Sequence, residues 1–301
     1  MNITVNPTDI IYNKISEAND GDTIIIKEGV YNEKLKITKS NITIKGVGNV
    51  VIQNKDWYSK THIDNKEYNT FRTYTVMVTG DNVTIDNITI KNLSTPSRLY
   101  GQAVALHVLG DNFKLLNSKL YSAQDTLFLA PLPVNLQTKY IGFLYPDELS
   151  PRYNKMYFEN CYIEGDVDFV FGGANAIFNK CHFHCIRDGR VNGFYFAPCH
   201  NQGDPYGFTV VNSKFTATNK DSAILARPWR DYGKITIINA DIEDGIIQKE
   251  GFDKWNNTER DKTAIFEYYN LGIDTKDFVK WAKPLTKEEA DKYLSYALKN
   301  D

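Results

Sequence analysis

Apolar and polar positions alternate in short bursts along this chain, and the bursts share one internal plan. Val83 to Ile90, Phe113 to Leu120, Met156 to Ile163, Ala176 to Phe183, Phe208 to Phe215 and Ile235 to Ile242 each carry two alternating stretches around one polar residue. That residue is Asn87, Asn117, Asn160, Lys180, Asn212 and Asn239 in turn, and Asn41-Ile-Thr-Ile is an earlier cousin. Alternation with period two is the mark of a half-buried strand. Asparagine suits a sharp bend between strands because it tolerates a left-handed backbone. The central residues are 30, 43, 20, 32 and 27 positions apart. A minimum near 20 with variable excess predicts stacked coils whose extra residues loop outward. The fold class expected is all-β, a parallel β-helix with short N-terminal and C-terminal capping helices.

The ends support this. Thr8 to Ala18 places Ile11, Ile15 and Ala18 at helical spacing, so a short helix can cover the first coil. Thr286-Lys-Glu-Glu289 is a capping box that opens a helix to about Lys299, with Ala290, Tyr293, Leu294 and Ala297 on one face. Residues 129–155, with Pro131, Pro133, Pro146 and Pro151, read as a long loop insertion. No composition break divides the chain, so 1–301 is expected to be a single domain.

The repeat also places two acids. Asp125 follows Asn117 by eight residues, and Asp168 follows Asn160 by eight. If the coils stack, these carboxyl groups lie on neighbouring rungs, and adjacent strands are roughly 4.8 Å apart. Two carboxyl groups that close suit an acid working beside a nucleophile. Asp188 stands eight residues after Lys180, but it lies in Arg187-Asp188-Gly189-Arg190 and reads as a loop residue.

Composition narrows the alternatives. With 35 basic and 37 acidic residues the formal charge is −2, and no basic run points to nucleic acid. There are 19 Tyr, 16 Phe and 4 Trp, enough for a large core and for flat sugar-binding walls. The N-terminal residues do not form a signal peptide, and no apolar run approaches membrane-spanning length. The chain as given is expected to be cytoplasmic, or secreted if it is a trimmed mature form. The four cysteines, Cys161, Cys181, Cys185 and Cys199, invite a metal reading. Strand alternation instead turns Cys181 and Cys185 away from His182 and His184, so stacked interior thiols or a Cys161–Cys181 disulfide is expected.

Five ordered segments remain: Gly29-Val-Tyr-Asn-Glu33, Gly101-Gln102-Ala-Val-Ala-Leu106, Gln124-Asp125-Thr126-Leu127, Asp168 to Gly172, and Ala226-Arg227-Pro228-Trp229. Together they resemble the pectin methylesterases, aspartyl esterases built on a right-handed parallel β-helix, over about residues 6–299, and the resemblance implies that hand here. The insertion after Leu127 is longer than in plant members and is similar to bacterial ones, and Ala226 stands where glycine is usual. The resemblance implies Asp168 as nucleophile, Asp125 as general acid and base, and Gln102 and Gln124 as oxyanion donors. It implies Arg227 as the residue orienting Asp168, and Trp229 and Phe171 as aromatic walls of the substrate cleft. Glu33 and Tyr31 read as structural. No metal or cofactor is implied. The expected partner is methylated homogalacturonan or its oligomers, with no nucleic acid, no membrane, and a monomeric state.

Rival readings are weaker. The Asp-Asp and Gly-His-Gly segments that accompany Asn-x-Asp in polygalacturonate hydrolases are missing. Arg227 beside the acids disfavours a calcium-dependent lyase, and there is no Gly-x-Ser-x-Gly of a serine esterase. A related esterase or thioesterase on another ester, or a non-catalytic carbohydrate-binding β-helix, are the alternatives.

Overall fold

The computed structural model describes residues 1–149, 154–187 and 192–299. The chain winds as a parallel β-helix. Strands of successive coils pair in parallel throughout, in a 17-stranded and a 7-stranded sheet. The seven-stranded sheet carries the candidate site. Its order is Ala223–Ala226, Gly193–Pro198, Val170–Gly172, Leu127–Leu129, Leu106–Val108, Val76–Val78 and Leu35–Ile37.

The alternation sets which side chains enter the coil. Met156 and Phe158 point inward while Tyr157 points outward, and the pattern repeats in the next rung. Inside, like residues stack at rung spacing. The Phe158 and Phe178 rings lie 4.7 Å apart and nearly parallel, and Phe183 and Phe215 lie 5.2 Å apart. Aromatic stacking of this kind adds to burial, which itself is worth roughly 1.5–3 kcal/mol per large apolar side chain. The core therefore runs along the coil axis as a continuous column of Val, Ile, Leu and Phe.

The expected bends are present. Asn87, Asn117, Asn160, Lys180, Asn212 and Asn239 all have left-handed backbones, with φ between 50° and 55°. Their side chains also link rungs: the Asn160 amide donates to Asn117 Oδ1 at 3.3 Å, and Asn270 to Asn239 at 3.0 Å. Lys180 interrupts the ladder, and Asn212 donates instead to Asn179 Oδ1. A second ladder not anticipated from the sequence joins Asn112, Asn82 and Asn41 at the preceding corner.

The N-terminal helix spans Ile11–Ser16 and buries Ile11 and Ile15 against the first coil. Its N-terminal amides are satisfied from a distance: Glu33 accepts the Ile11 and Tyr12 N–H groups at 2.9 Å each. Glu33 thus has the structural role expected, as does Tyr31, whose hydroxyl donates to the Lys27 carbonyl. The C-terminal helix, Lys287–Leu298, has the expected capping box. Its place differs from expectation. It packs along the flank of the coil, on outward-facing Tyr157, Ile177, Val211 and Ile238, rather than over the open end. The last coil's interior is closed instead by Leu271, Phe278 and Trp281 around Phe252 and Phe266. Apolar residues on the outer face of those rungs give the helix a better apolar partner than the coil end does.

Cys161 and Cys181 are buried free thiols, not a disulfide. Burial, and then the Cys161 thiol beside it, raises the Cys181 pKa. Cys181, Phe183 and Cys185 face inward while His182 and His184 bond Thr216 on the outer face, as alternation requires. Asp188 lies outside the described residues.

Candidate active site

The site grows out of one edge of the seven-stranded sheet. Leu127 pairs with Val170, so Asp125 and Asp168, each two residues earlier, sit side by side on adjacent rungs. The link continues through them, since the Asp125 N–H donates to the Val167 carbonyl at 3.1 Å. Both aspartates have left-handed backbones, φ 65° and 50°. This conformation is uncommon outside glycine but is tolerated by Asp and Asn. It turns each carboxyl out of the strand at the corner of its coil. Both residues are only 7% exposed.

Arg227 comes from the second rung beyond Asp168. Its Nε donates to Asp168 Oδ1 at 2.8 Å and its Nη2 to Oδ2 at 2.7 Å. Two parallel charge-assisted bonds fix the carboxylate plane as a single bond would not. The guanidinium is itself clamped, with its carbon 3.7 Å from the Phe194 ring centre and 3.9 Å from that of Trp255. Phe194 stands on the strand between Asp168 and Arg227, and Trp255 comes from a loop after the last long coil. Neither was marked by the sequence reading. Phe194 looks like one more core residue of an apolar strand, and Trp255 sits outside any periodic segment.

Gln102 and Gln124 meet in a parallel bridge on the other side of the acids. The Gln102 carbonyl accepts the Tyr58 N–H, and the Gln124 carbonyl accepts the Ala103 N–H, so both backbones are fixed. The Gln124 side-chain oxygen is buried without a hydrogen-bond partner among the described residues. That oxygen is an acceptor, so only a hydrogen-bond donor could satisfy it.

These residues share one cavity of about 270 Å³. Gln102, Gln124, Asp125, Asp168, Phe171, Arg227 and Trp229 all line it. Every residue expected at the site is therefore brought together. Phe171 is buried, stacked on Phe128 at 4.8 Å and edge-on to Trp229 at 5.7 Å, so it supports the indole wall. Gly172 follows with φ 130°, and a Cβ there would run into the Leu129 backbone, so the strand ends tightly below the ring.

Two loops add walls that alternation alone did not identify. The insertion after Leu129 brings Tyr140 over the cavity, with its ring 6.4 Å from Trp229. It is held down by Glu148, buried against His107 at 2.6 Å, and by the Tyr74–Tyr145 hydroxyl pair. The segment from Lys55 to Tyr74 contributes Tyr58, Asn69, Thr70 and Phe71. An ionic network pins it: Asp56 accepts from Lys34 and Lys60, and Arg72 reaches Asp64 and the Tyr68 carbonyl. Asn69 Oδ1 is likewise buried without a hydrogen-bond partner among the described residues.

Known proteins give the arrangement its context. A sequence model of the Pectinesterase family matches residues 8–132 and 136–300. The chain is 29% identical to pectinesterase QRT1 of Arabidopsis thaliana over 90% of its own length and 67% of that protein. It is 30% identical to the putative pectinesterase/pectinesterase inhibitor 43 of the same plant, over 83% of this chain and 33% of the relative. It thus spans between a third and two thirds of these longer curated relatives. Among solved structures, carrot pectin methylesterase superposes with a TM-score of 0.80 at 23% identity, covering 95% of this chain and 89% of that one. Pectin methylesterase PemA of Erwinia chrysanthemi gives 0.79 at 23% identity, covering 98% and 96%. A pectin methylesterase solved in complex with a hexasaccharide gives 0.75 at 25% identity, covering 94% and 91%. With its coil, its paired aspartates and a family match across nearly its whole length, the chain belongs to the pectinesterase family.

Proposed function

We propose that this chain is an aspartyl esterase that hydrolyses methyl esters of galacturonate units in homogalacturonan or its oligomers, and that it does so as one β-helical domain. The observation that carries the reading is the two-point grip of Arg227 on Asp168, with Asp125 on the adjacent rung of the same cavity.

Arg227 grips one edge of the Asp168 carboxyl group, which also lines the cavity. In the proposed reaction a carboxylate oxygen of Asp168 attacks the ester carbonyl carbon, and the C=O electron pair moves onto oxygen. In this reading Gln102 and Gln124 donate to that oxyanion, a contribution of roughly 3–4 kcal/mol per donor in comparable sites. The C–O bond to the methoxy group then breaks, and protonated Asp125 gives it the proton, releasing methanol. An acyl-aspartyl anhydride remains on Asp168. Asp125, now a carboxylate, takes a proton from a water that attacks the acyl carbon. Expulsion of Asp168 regenerates the nucleophile and leaves a free galacturonate carboxyl. The same acid thus serves both half-reactions, as covalent acyl transfer requires. Trp229 and Tyr140 offer apolar faces for the sugar rings, and Phe171 supports the Trp229 indole.

Methanol release from highly methylated pectin tests the reading. Release by the native chain and none by Asp168→Asn, which still shows the circular-dichroism spectrum of the folded chain, is the expected result. No release by the native chain on polymer or oligomer overturns it.

A further inference from the structure

One buried carboxyl group beside the nucleophile has no part in the chemistry above. Asp166 stands two residues before Asp168, is 1% exposed and does not line the cavity. A carboxyl group that deep is costly unless donors meet it. Among the described residues, its Oδ1 accepts the Val167 N–H at 2.6 Å and its Oδ2 accepts the Ser97 hydroxyl. Its backbone is fixed on both sides. The Asp166 N–H donates to the Ala123 carbonyl at 2.9 Å, on the rung of Asp125, and the Asp166 carbonyl accepts the Phe194 N–H at 2.8 Å, on the rung beyond. Asp166 is therefore a rigid post in the winding.

Ser97 belongs to a segment that leaves the winding. It opens the short helix Ser97–Tyr100 and is buried there, while Arg98 and Leu99 are exposed. The Gly101 N–H closes this turn onto the Ser97 carbonyl at 2.7 Å, and Gln102 comes next. Ser97 and Gln102 thus sit at the two ends of one tight turn. The bridge to Gln124 fixes the far side of Gln102, and the Ser97 hydroxyl fixes the near side across 69 residues of sequence. An oxyanion donor works where it is held in place before the charge develops. Resting on the reading of the site as a galacturonate methyl esterase, we propose that Ser97 and Asp166 are positioning residues whose bond holds the Gln102 amide against the rung of Asp168. The nucleophile and the donor that answers it then move as one piece. An aspartate is needed at the post, because an asparagine accepting the serine hydroxyl would turn its NH₂ toward the Val167 N–H, donor against donor.

Steady-state methanol release and amide hydrogen exchange of the intact protein test the tie. Ser97→Ala should lower kcat about tenfold or more with KM unchanged, the mark of a reacting group slightly out of place. Gln102→Ala should lower kcat by roughly 10²–10³-fold, as loss of an oxyanion donor does. The Ser97→Ala/Gln102→Ala double variant should be no slower than Gln102→Ala alone, because Ser97 acts through Gln102. Losses that multiply, or a native kcat in Ser97→Ala, overturn the proposal. Amides of residues 97–103 should exchange faster in Ser97→Ala, while those of residues 125–129 keep their native rate. Equal exchange in the two chains also overturns it. If Ser97→Ala melts early, Asp166→Asn, which keeps the size of the side chain, decides by the same readings. Faster exchange without methanol release by the native chain would sink the esterase reading and leave the tie standing. Methanol release with a native kcat in both variants would do the reverse.

Discussion

Arg227 meets Asp168 edge to edge, Nε to Oδ1 and Nη2 to Oδ2, while Phe194 and Trp255 hold the guanidinium between their rings. Its orientation is thus fixed on three sides before any substrate arrives. Lysine cannot reproduce either the fork or the stacking. Arg227→Lys is expected to lower kcat by roughly 10²-fold, the scale of a misplaced reacting group, with little change in thermal midpoint. Steady-state methanol release checks this; an unimpaired kcat would show that orientation of Asp168 is not limiting.

Removing the clamp rather than the arginine should act more mildly. Each cation–ring contact is worth about 0.5–2 kcal/mol. Trp255→Ala should therefore cost roughly 2- to 30-fold in kcat/KM, and Trp255→Phe should restore most of it, because the flat face returns. Equal activity of the alanine and phenylalanine variants would remove Trp255 from the clamp.

Gln124 offers a test of the oxyanion role. Loss of one donor from such a hole typically lowers kcat by roughly 10²–10³-fold, since the bond is strongest in the transition state. Gln124→Ala should show that loss chiefly in kcat. A change confined to KM would make Gln124 a binding residue for the ground state only.

Much of this site was readable in the chain. The eight-residue offset from each bend asparagine put Asp125 and Asp168 on one corner, and Leu127 opposite Val170 confirms the register. Arg227, Gln102, Gln124, Trp229 and Phe171 likewise reach the cavity. Alternation separates inward from outward, however, and says nothing about which outward residues a loop will roof over. Asn69, Tyr58 and Trp255 lie in segments with no period, so their arrival at the cavity depends on contacts across many residues. Phe194 was hidden for the opposite reason, since it has the period of a core residue and its ring serves Arg227. The C-terminal helix was visible as a helix, but its docking face depended on Tyr157, Ile177 and Ile238 lying outward on three different coils.

The coil bends give a stability prediction. Asn160 has φ 53° and donates across the rung to Asn117. A residue with a Cβ and no polar group loses about 1–2 kcal/mol in a left-handed backbone, whereas glycine does not. Asn160→Ala should lower the urea midpoint, and Asn160→Gly should lower it less. The reverse order would mean that the side-chain ladder, not the backbone, governs the bend.

His200 gives the chain an acid sensitivity away from the cavity. It is buried, its Nδ1 accepts the Lys234 N–H at 3.1 Å, and its Nε2 donates to the Ala174 carbonyl. Burial depresses its pKa to about 4. A second ring proton would displace the Lys234 bond. Between the ordinary value near 6.5 and about 4, the unfolded chain therefore binds more protons than the folded one. Stability must fall as pH drops through that window, by up to about 3 kcal/mol from this group. His200→Gln should show a flatter profile between pH 6.5 and 4 in denaturant titrations. An identical slope in the variant would assign the acid sensitivity elsewhere.

The backbone bond from Asp125 to Val167 has a wider consequence. The separation of the reactive acids is set by the pitch of the winding, a quantity common to every coil. The overhanging segments near Tyr58 and Tyr140 leave the winding at its corners and can lengthen, shorten or change sequence without altering that pitch. On the proposed function, the spacing of the two acids thus rests on the winding, while the walls that would face the sugar come from segments that leave it.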